Sequence, residues 1–66
     1  MRVTVNGDVR ELRDGVSVEE FVRELGFAAR RIAVALNLDV LPRAEYGTRR
    51  LREGDVVEIV QFIGGG

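Results

Sequence analysis

The chain has 66 residues, of which 45% are hydrophobic and 32% charged, with a formal net charge of −1. This length accommodates one domain with a single hydrophobic core. Because cysteine and histidine are both absent, the sequence excludes a disulfide framework, a zinc site built on those ligands and a Ser-His or Cys-His nucleophile pair, and the balanced charge argues against general nucleic-acid binding.

The N-terminal residues have the pattern of a β-hairpin. Apolar side chains alternate from Met1 to Val5, then Asn6 and Gly7 follow, and a second strand is expected from Val9 to Arg13. Asn-Gly is a strong signal for a type I′ turn because both central residues of that turn require positive φ. We therefore assign a structural role to this pair.

A short helix is expected after the hairpin. Ser17 and Glu20 have the spacing of a capping box, in which each side chain bonds to the other residue's backbone N–H. Four apolar residues then form one stripe along the helix: Val18, Phe21, Val22 and Leu25. Gly26 is expected to end the helix in the left-handed conformation, with Phe27 packing back on the last turn.

A third strand is expected from Ile32 to Leu36. The run is continuously apolar, which predicts a central strand buried on both faces. A turn over residues 37–39 leads to a short extended piece at residues 40–41, where pairing should stop because Pro42 lacks an N–H group.

The last part of the chain is predicted to be irregular over residues 43–50 and to form a strong strand from Val56 to Phe62. Taken together, the elements predict an α+β fold of the ubiquitin-like β-grasp type. A mixed sheet of four to five strands packs on one main helix, and the first and last strands are parallel neighbours. We expect residues 1–63 to form this single domain and residues 64–66 to form a flexible glycine tail.

The terminal glycines Gly64, Gly65 and Gly66 have two interpretations. Chain ends are commonly disordered, and glycine is the least restricted residue, so the three residues could be an inert end. Alternatively, an extended terminus without side chains can pass through a narrow channel and bring the Gly66 carboxylate to a nucleotide in a partner's active site. Their position directly after the last predicted strand favours the second interpretation.

Three segments of the chain resemble the prokaryotic ubiquitin-like sulfur carriers of the ThiS/MoaD family. They are VTVNG at residues 3–7, IAVALN at 32–37 followed by VLPR at 40–43, and LREGDVVEIVQFIGGG at 51–66. The first and last are shared across these carriers. The middle segment, the aromatic residue Tyr46 and the short length are typical of the thiamin branch.

This resemblance implies a carrier that is not itself an enzyme and holds no cofactor. A ThiF/MoeB-type adenylating enzyme would use ATP to activate the Gly66 carboxylate, and a persulfide sulfur donor would convert the adenylate to a thiocarboxylate. Thiazole synthase (ThiG) would then take the sulfur to build the thiazole ring. The motif requires Gly65 and Gly66, which thread the partner's active site, and the additional Gly64 adds slack.

Docking to these partners is expected at the last strand and the face leading to the tail, through Phe62, Ile63 or Leu51. Their alternative role is ordinary core packing. The chain start lacks the apolar stretch of a signal peptide, and the longest apolar run is too short to cross a bilayer. The sequence therefore predicts a cytoplasmic protein with no membrane or nucleic-acid partner.

Three other functions remain compatible with the sequence. The chain could carry sulfur in another pathway, as the small subunit of molybdopterin synthase or a carrier for tRNA thiolation or cysteine biosynthesis. It could be a ubiquitin-like conjugation modifier, whose activated Gly66 would meet a lysine on another protein. It could also be a β-grasp interaction domain with inert glycines, because a fold alone does not define a function.

Overall fold

The computed structural model describes residues 1–62. The elements are β1 (Arg2–Val5), β2 (Asp8–Glu11), α1 (Val18–Glu24), a 3-10 helix (Ala29–Arg31), β3 (Ile32–Leu36), β4 (Asp39–Val40), a second 3-10 helix (Arg43–Glu45) and β5 (Val56–Gln61). The strands form one sheet in the order β2-β1-β5-β3-β4. The β1–β5 pair is parallel and the other pairs are antiparallel, which confirms the predicted mixed sheet with parallel first and last strands. Ile63 and the glycine tail lie outside the described residues.

Both hairpin turns have a left-handed backbone conformation. Asn6 and Gly7 have φ of 49° and 87°, as the predicted type I′ turn requires. Asn37 and Leu38 have φ of 51° and 75° and join β3 to β4. The first turn places Asp8 directly opposite the last residue of β1, so β2 begins and ends earlier than the predicted range of 9–13.

The helix begins at a complete capping box. The Glu20 N–H group donates to the Ser17 hydroxyl, and the Ser17 N–H group donates to the Glu20 carboxylate, both at 3.1 Å. These two bonds satisfy backbone donors that the first helical turn leaves without partners. The predicted start of the helix is therefore confirmed.

The helix ends in a Schellman motif. Gly26 has φ of 91°, and its N–H group donates to the carbonyl of Arg23 at 2.9 Å. The N–H group of Phe27 donates to the carbonyl of Val22 at 3.1 Å, and the Phe27 side chain packs against the core. The left-handed cap at Gly26 and the packing of Phe27 are both confirmed.

The third strand differs from its prediction in one respect. It pairs with both β5 and β4 and is internal to the sheet, as expected. However, only Ile32, Val34 and Leu36 are buried, while Ala33 and Ala35 are half-buried on the opposite face. The predicted burial on both faces is wrong because α1 covers one face of the sheet and small alanines continue the apolar run on the other.

The segment predicted as irregular contains a 3-10 helix and a core residue. Pro42 precedes the 3-10 helix, and β4 ends at Val40, so pairing stops before the proline as predicted. The side chain of Tyr46 is buried, with 3% of its surface exposed. Its hydroxyl oxygen accepts a hydrogen bond of 3.2 Å from the N–H group of Val34. This segment therefore packs against β3 as part of the core.

One hydrophobic core lies between the sheet and α1. It contains residues from every strand except β2 and β4, together with the apolar face of the helix: Val3, Val5, Val16, Val18, Phe21, Val22, Ile32, Val34, Leu36, Leu41, Tyr46, Leu51, Val57 and Ile59. Within residues 1–62, no helix is long and apolar enough to cross a membrane.

Candidate functional site at the end of the last strand

The candidate site is the C-terminal end of β5, where the predicted tail begins. Gln61 lies opposite Ile32 of β3, and the next residue, Phe62, donates its N–H group to the carbonyl of Arg31 at 2.8 Å. β1 pairs with Val56 and Val57 at the start of β5, whereas β3 pairs with β5 as far as Gln61, so the end of the strand is held along its β3 edge. The chain is therefore fixed by backbone hydrogen bonding up to Phe62.

The sheet face opposite α1, called here the outer face, is apolar beside this site. The strand register places Val60 opposite Ala33, and it places Glu58 and Val40 on the two sides of Ala35. Val60 and Val40 have 59% and 78% of their surface exposed. Contiguous exposed apolar surface on a small domain is typical of a protein interaction site.

A shallow groove of about 210 Å³ follows this part of the outer face. It is lined by Ala33, Val34, Ala35, Val40, Glu58 and Val60. Glu58 is the one charged side chain in that lining, so the groove combines an apolar floor with a single carboxylate. This arrangement suits binding of an apolar protein surface that also offers a cation or a hydrogen-bond donor.

The structure separates the residues predicted to dock a partner. Phe62 has 55% of its surface exposed at the end of β5, as a docking residue requires. Leu51 has 3% exposed, and its N–H group donates to the carbonyl of Val16 at 2.9 Å. Leu51 therefore has the core-packing role given above as its alternative, and its side chain is not available on the surface for docking. Ile63 lies outside the described residues.

The residues predicted to carry the chemistry, Gly64, Gly65 and Gly66, also lie outside the described residues. Among residues 1–62, no group of three or more potential metal-ligating carboxylates is present. The described part of the site therefore consists of an exposed apolar surface and a strand end held by backbone hydrogen bonds. The sequence analysis did not single out Val60 and Val40. The alternation of side chains along β5 indicates Val60, because it places Val60 on the face opposite the buried Val57.

Comparison with known proteins identifies the family. A sequence profile described as the ThiS family matches residues 3–66. The chain belongs to the ThiS family. A crystal structure of the thiamine biosynthesis protein ThiS from Geobacter metallireducens superimposes with a TM-score of 0.85 at 35% identity and covers all of both chains. This match confirms the ubiquitin-like β-grasp.

Two curated relatives of this ThiS family chain differ in length. The sulfur carrier protein ThiS of Thermus thermophilus is 39% identical over 64 residues, which are 97% of this chain and 98% of that protein. A thiazole synthase of Paramagnetospirillum magneticum is 39% identical over 66 residues, which are all of this chain and 20% of that protein. The chain therefore spans a fifth of the length of this second relative.

Proposed function

We propose that this chain is a sulfur carrier for thiazole formation in thiamin biosynthesis. The observation that carries the proposal is the family match, which runs through residue 66 and includes the terminal glycines. The similarity to a sulfur carrier protein along nearly the full length of both chains supports the same function. The reactive group in this proposal is the α-carboxylate of Gly66.

The proposed chemistry is acyl transfer at that carboxylate. Inside a ThiF/MoeB-type enzyme, a Gly66 carboxylate oxygen attacks the α-phosphorus of ATP and pyrophosphate leaves. A persulfide then attacks the acyl carbon and AMP leaves, and cleavage of the sulfur–sulfur bond by a thiol leaves a thiocarboxylate. Gly64 and Gly65 give the tail a narrow cross-section because they carry no side chains.

Thiazole synthase is the proposed consumer of this sulfur. A curated thiazole synthase contains a segment that is 39% identical to this entire chain. When a carrier domain and an enzyme are parts of one polypeptide, each is present at a high effective concentration near the other. Such an arrangement suits direct transfer of sulfur from the carrier to the enzyme. Transfer of the sulfur returns the carboxylate of Gly66 for another cycle.

The folded domain contributes positioning and docking to this cycle. Pairing of β5 with β3 up to Gln61 and the bond from Phe62 to Arg31 fix the direction in which the chain leaves the sheet, and Phe62 with Val60 offers apolar surface beside the exit. The partners supply the groups that activate ATP and sulfur. We therefore propose that the chain acts as a co-substrate, in the cytoplasm, with its partners as the enzymes.

Intact-mass measurement with fragmentation tests the proposal. The protein is incubated with ATP, a sulfide donor and the ThiF/MoeB-type enzyme of the same organism, and a variant without Gly66 serves as the control. We expect replacement of oxygen by sulfur, confined to Gly66 and absent from the control. Fragment position distinguishes this change from oxidation of Met1, the single methionine.

Three results would contradict the proposal. An unchanged mass with an active enzyme and donor would exclude sulfur loading, and an isopeptide adduct on another protein would identify a conjugation modifier. If sulfur is loaded, the carrier is offered to thiazole synthase and to the large subunit of molybdopterin synthase. Transfer to the second alone would place the chain in the molybdopterin pathway.

A further inference from the structure

Three exposed arginines surround the end of β5 and are called here the basic collar: Arg30, Arg31 and Arg43. The backbone carbonyl of Arg31 accepts the hydrogen bond from Phe62 at 2.8 Å. The guanidinium of Arg43 donates to the carbonyl of Arg30 at 3.2 Å. These bonds hold both 3-10 helices next to the strand end, so all three arginines belong to segments that adjoin the point where the tail begins.

The guanidinium groups of the basic collar have no carboxylate partner within 4.0 Å among residues 1–62. By contrast, Arg13, Arg23 and Arg49 each form an ion pair with a glutamate of the chain. Arg30 and Arg31 are neighbours in the chain and Arg43 bonds to Arg30, so the collar groups three arginines on a protein whose net charge is −1.

We propose that the basic collar docks on acidic side chains around the opening of the adenylating enzyme's tail channel. This inference rests on the proposed function, in which Gly66 enters that enzyme. The four residues from Ile63 to Gly66 span at most about 14 Å when fully extended. When the Gly66 carboxylate reaches the active site, the collar therefore lies at the mouth of the channel and contacts protein there.

Carboxylates are the groups on a protein surface that suit the chemistry of the collar. A planar guanidinium group donates two parallel hydrogen bonds to a carboxylate. An exposed ion pair contributes little to affinity, but clustered charges accelerate association by long-range attraction, and salt screens this effect. A carrier that must bind and leave its enzyme in each cycle gains more from fast association than from a tight complex.

Association kinetics test this inference. The double variant Arg30→Gln/Arg31→Gln removes two collar charges and keeps both backbone carbonyls that accept hydrogen bonds. The matched control is Arg10→Gln/Arg52→Gln, which makes the same change in net charge at two exposed arginines outside the collar. The association rate constant with the ThiF/MoeB-type enzyme of the same organism is measured by stopped flow at low and high ionic strength.

We expect the collar variant to associate about tenfold more slowly than wild type at low salt, with most of the difference lost at high salt. The control should stay within about twofold of wild type, and Arg30→Lys/Arg31→Lys should restore most of the rate because it restores the charge. Equal rates for collar variant and wild type, or equal losses in collar variant and control, overturn the inference.

The result also separates this inference from the proposed function. If the wild-type protein acquires a thiocarboxylate and the collar variant associates at the normal rate, the inference about the collar is wrong and the sulfur-carrier function stands. A wild-type protein that neither associates nor acquires sulfur with an active enzyme overturns both. Urea unfolding of each variant confirms that the compared proteins are equally folded.

Discussion

The side-chain amide of Asn6 pairs with the backbone of Ile59 as a further strand residue would. Its Oδ1 atom accepts a hydrogen bond of 2.8 Å from the Ile59 N–H group, and its Nδ2 atom donates to the Ile59 carbonyl at 3.2 Å. The backbone N–H of Asn6 also donates to the carbonyl of Val57 at 2.9 Å. A turn residue therefore extends the pairing between β1 and β5 beyond the last residue of β1.

Replacement of Asn6 by glycine tests this contribution. Glycine tolerates the positive φ of the turn, so the variant isolates the loss of the two side-chain hydrogen bonds. We expect Asn6→Gly to lower the free energy of unfolding by about 2 kcal/mol in urea titrations. Asn6→Ala should cost about 1 kcal/mol more because alanine is strained at positive φ. A glycine variant within about 0.5 kcal/mol of wild type would show that the side chain contributes nothing.

Asn37 forms the corresponding contact on the other edge of β5. Its backbone N–H group donates to the carbonyl of Val56 at 2.8 Å, and its Oδ1 atom accepts from the Val56 N–H group at 2.9 Å. Its Nδ2 atom also donates to Asp55 at 3.1 Å. The asparagines of the two turns thus bind opposite edges of the strand that leads to the tail.

Replacement of Tyr46 by phenylalanine should destabilise the protein through one hydrogen bond. The variant keeps the ring in the core but leaves the buried N–H group of Val34 without its acceptor. We expect the free energy of unfolding to fall by about 2 kcal/mol. Amide hydrogen exchange provides a local measurement: the Val34 amide should exchange faster than in wild type. An unchanged Val34 exchange rate relative to global unfolding would contradict the assignment.

Alanine substitutions at Leu51 and Phe62 should have opposite effects on stability and binding. Leu51→Ala removes a buried side chain and should lower the free energy of unfolding by about 2–5 kcal/mol. Phe62→Ala removes an exposed side chain and should cost less than about 1 kcal/mol, while weakening the complex with the adenylating enzyme. Thermal unfolding and titration calorimetry measure the two effects. A Phe62 variant with unchanged affinity would exclude that residue from the interface.

The capping box should make the helix sensitive to acid. The hydrogen bond from the Ser17 N–H group lowers the pKa of Glu20 below its ordinary value, and the nearby Arg13 lowers it further. A carboxyl group with a lowered folded pKa stabilises the protein above its unfolded pKa. That contribution is lost as the pH falls through the folded value.

We therefore expect Glu20→Gln to reduce the dependence of stability on pH in the acidic range. Glutamine keeps an oxygen that can accept the Ser17 bond but does not titrate. Urea unfolding of both proteins from neutral to acidic pH measures the slopes. Parallel curves for wild type and variant would show that Glu20 does not couple folding to protonation.

Local signals in the sequence predicted most of the fold. The Asn6-Gly7 turn, the capping box at Ser17 and the glycine cap at Gly26 depend on residues close together in the chain, and all three are confirmed. The last strand was predicted as Val56–Phe62 and is observed as Val56–Gln61. Each of these features depends on the backbone conformation of a few neighbouring residues, which the local sequence determines.

Contacts between distant segments account for what the sequence did not predict. The bond from Val34 to Tyr46 joins residues 12 positions apart, and those between Asn6 and Ile59 join residues 53 positions apart. No local pattern indicates either pair. The choice between docking and core packing for Leu51 was open for the same reason, because the core that buries it is built from distant segments, including Val16, whose carbonyl accepts its N–H.

The glycine part of the candidate site remains a prediction from the sequence. The resemblance to sulfur carriers rests on residues 3–7, 32–37, 40–43 and 51–66, and the terminal glycines lie beyond Phe62, the last residue that the structure describes. The structure adds the outer face and the basic collar. Neither is visible as a sequence motif, because each combines side chains from different elements that only the sheet register and the 3-10 helices bring together.

The position of β5 between two strands has a mechanical consequence. A partner that draws the tail into a channel pulls β5 along its own axis, and the hydrogen bonds to β1 and β3 lie across that axis. The force therefore acts on both rows of bonds together, in shear, instead of opening them one after another. Under the proposed function, this geometry favours a domain that stays folded when a partner enzyme pulls on its tail.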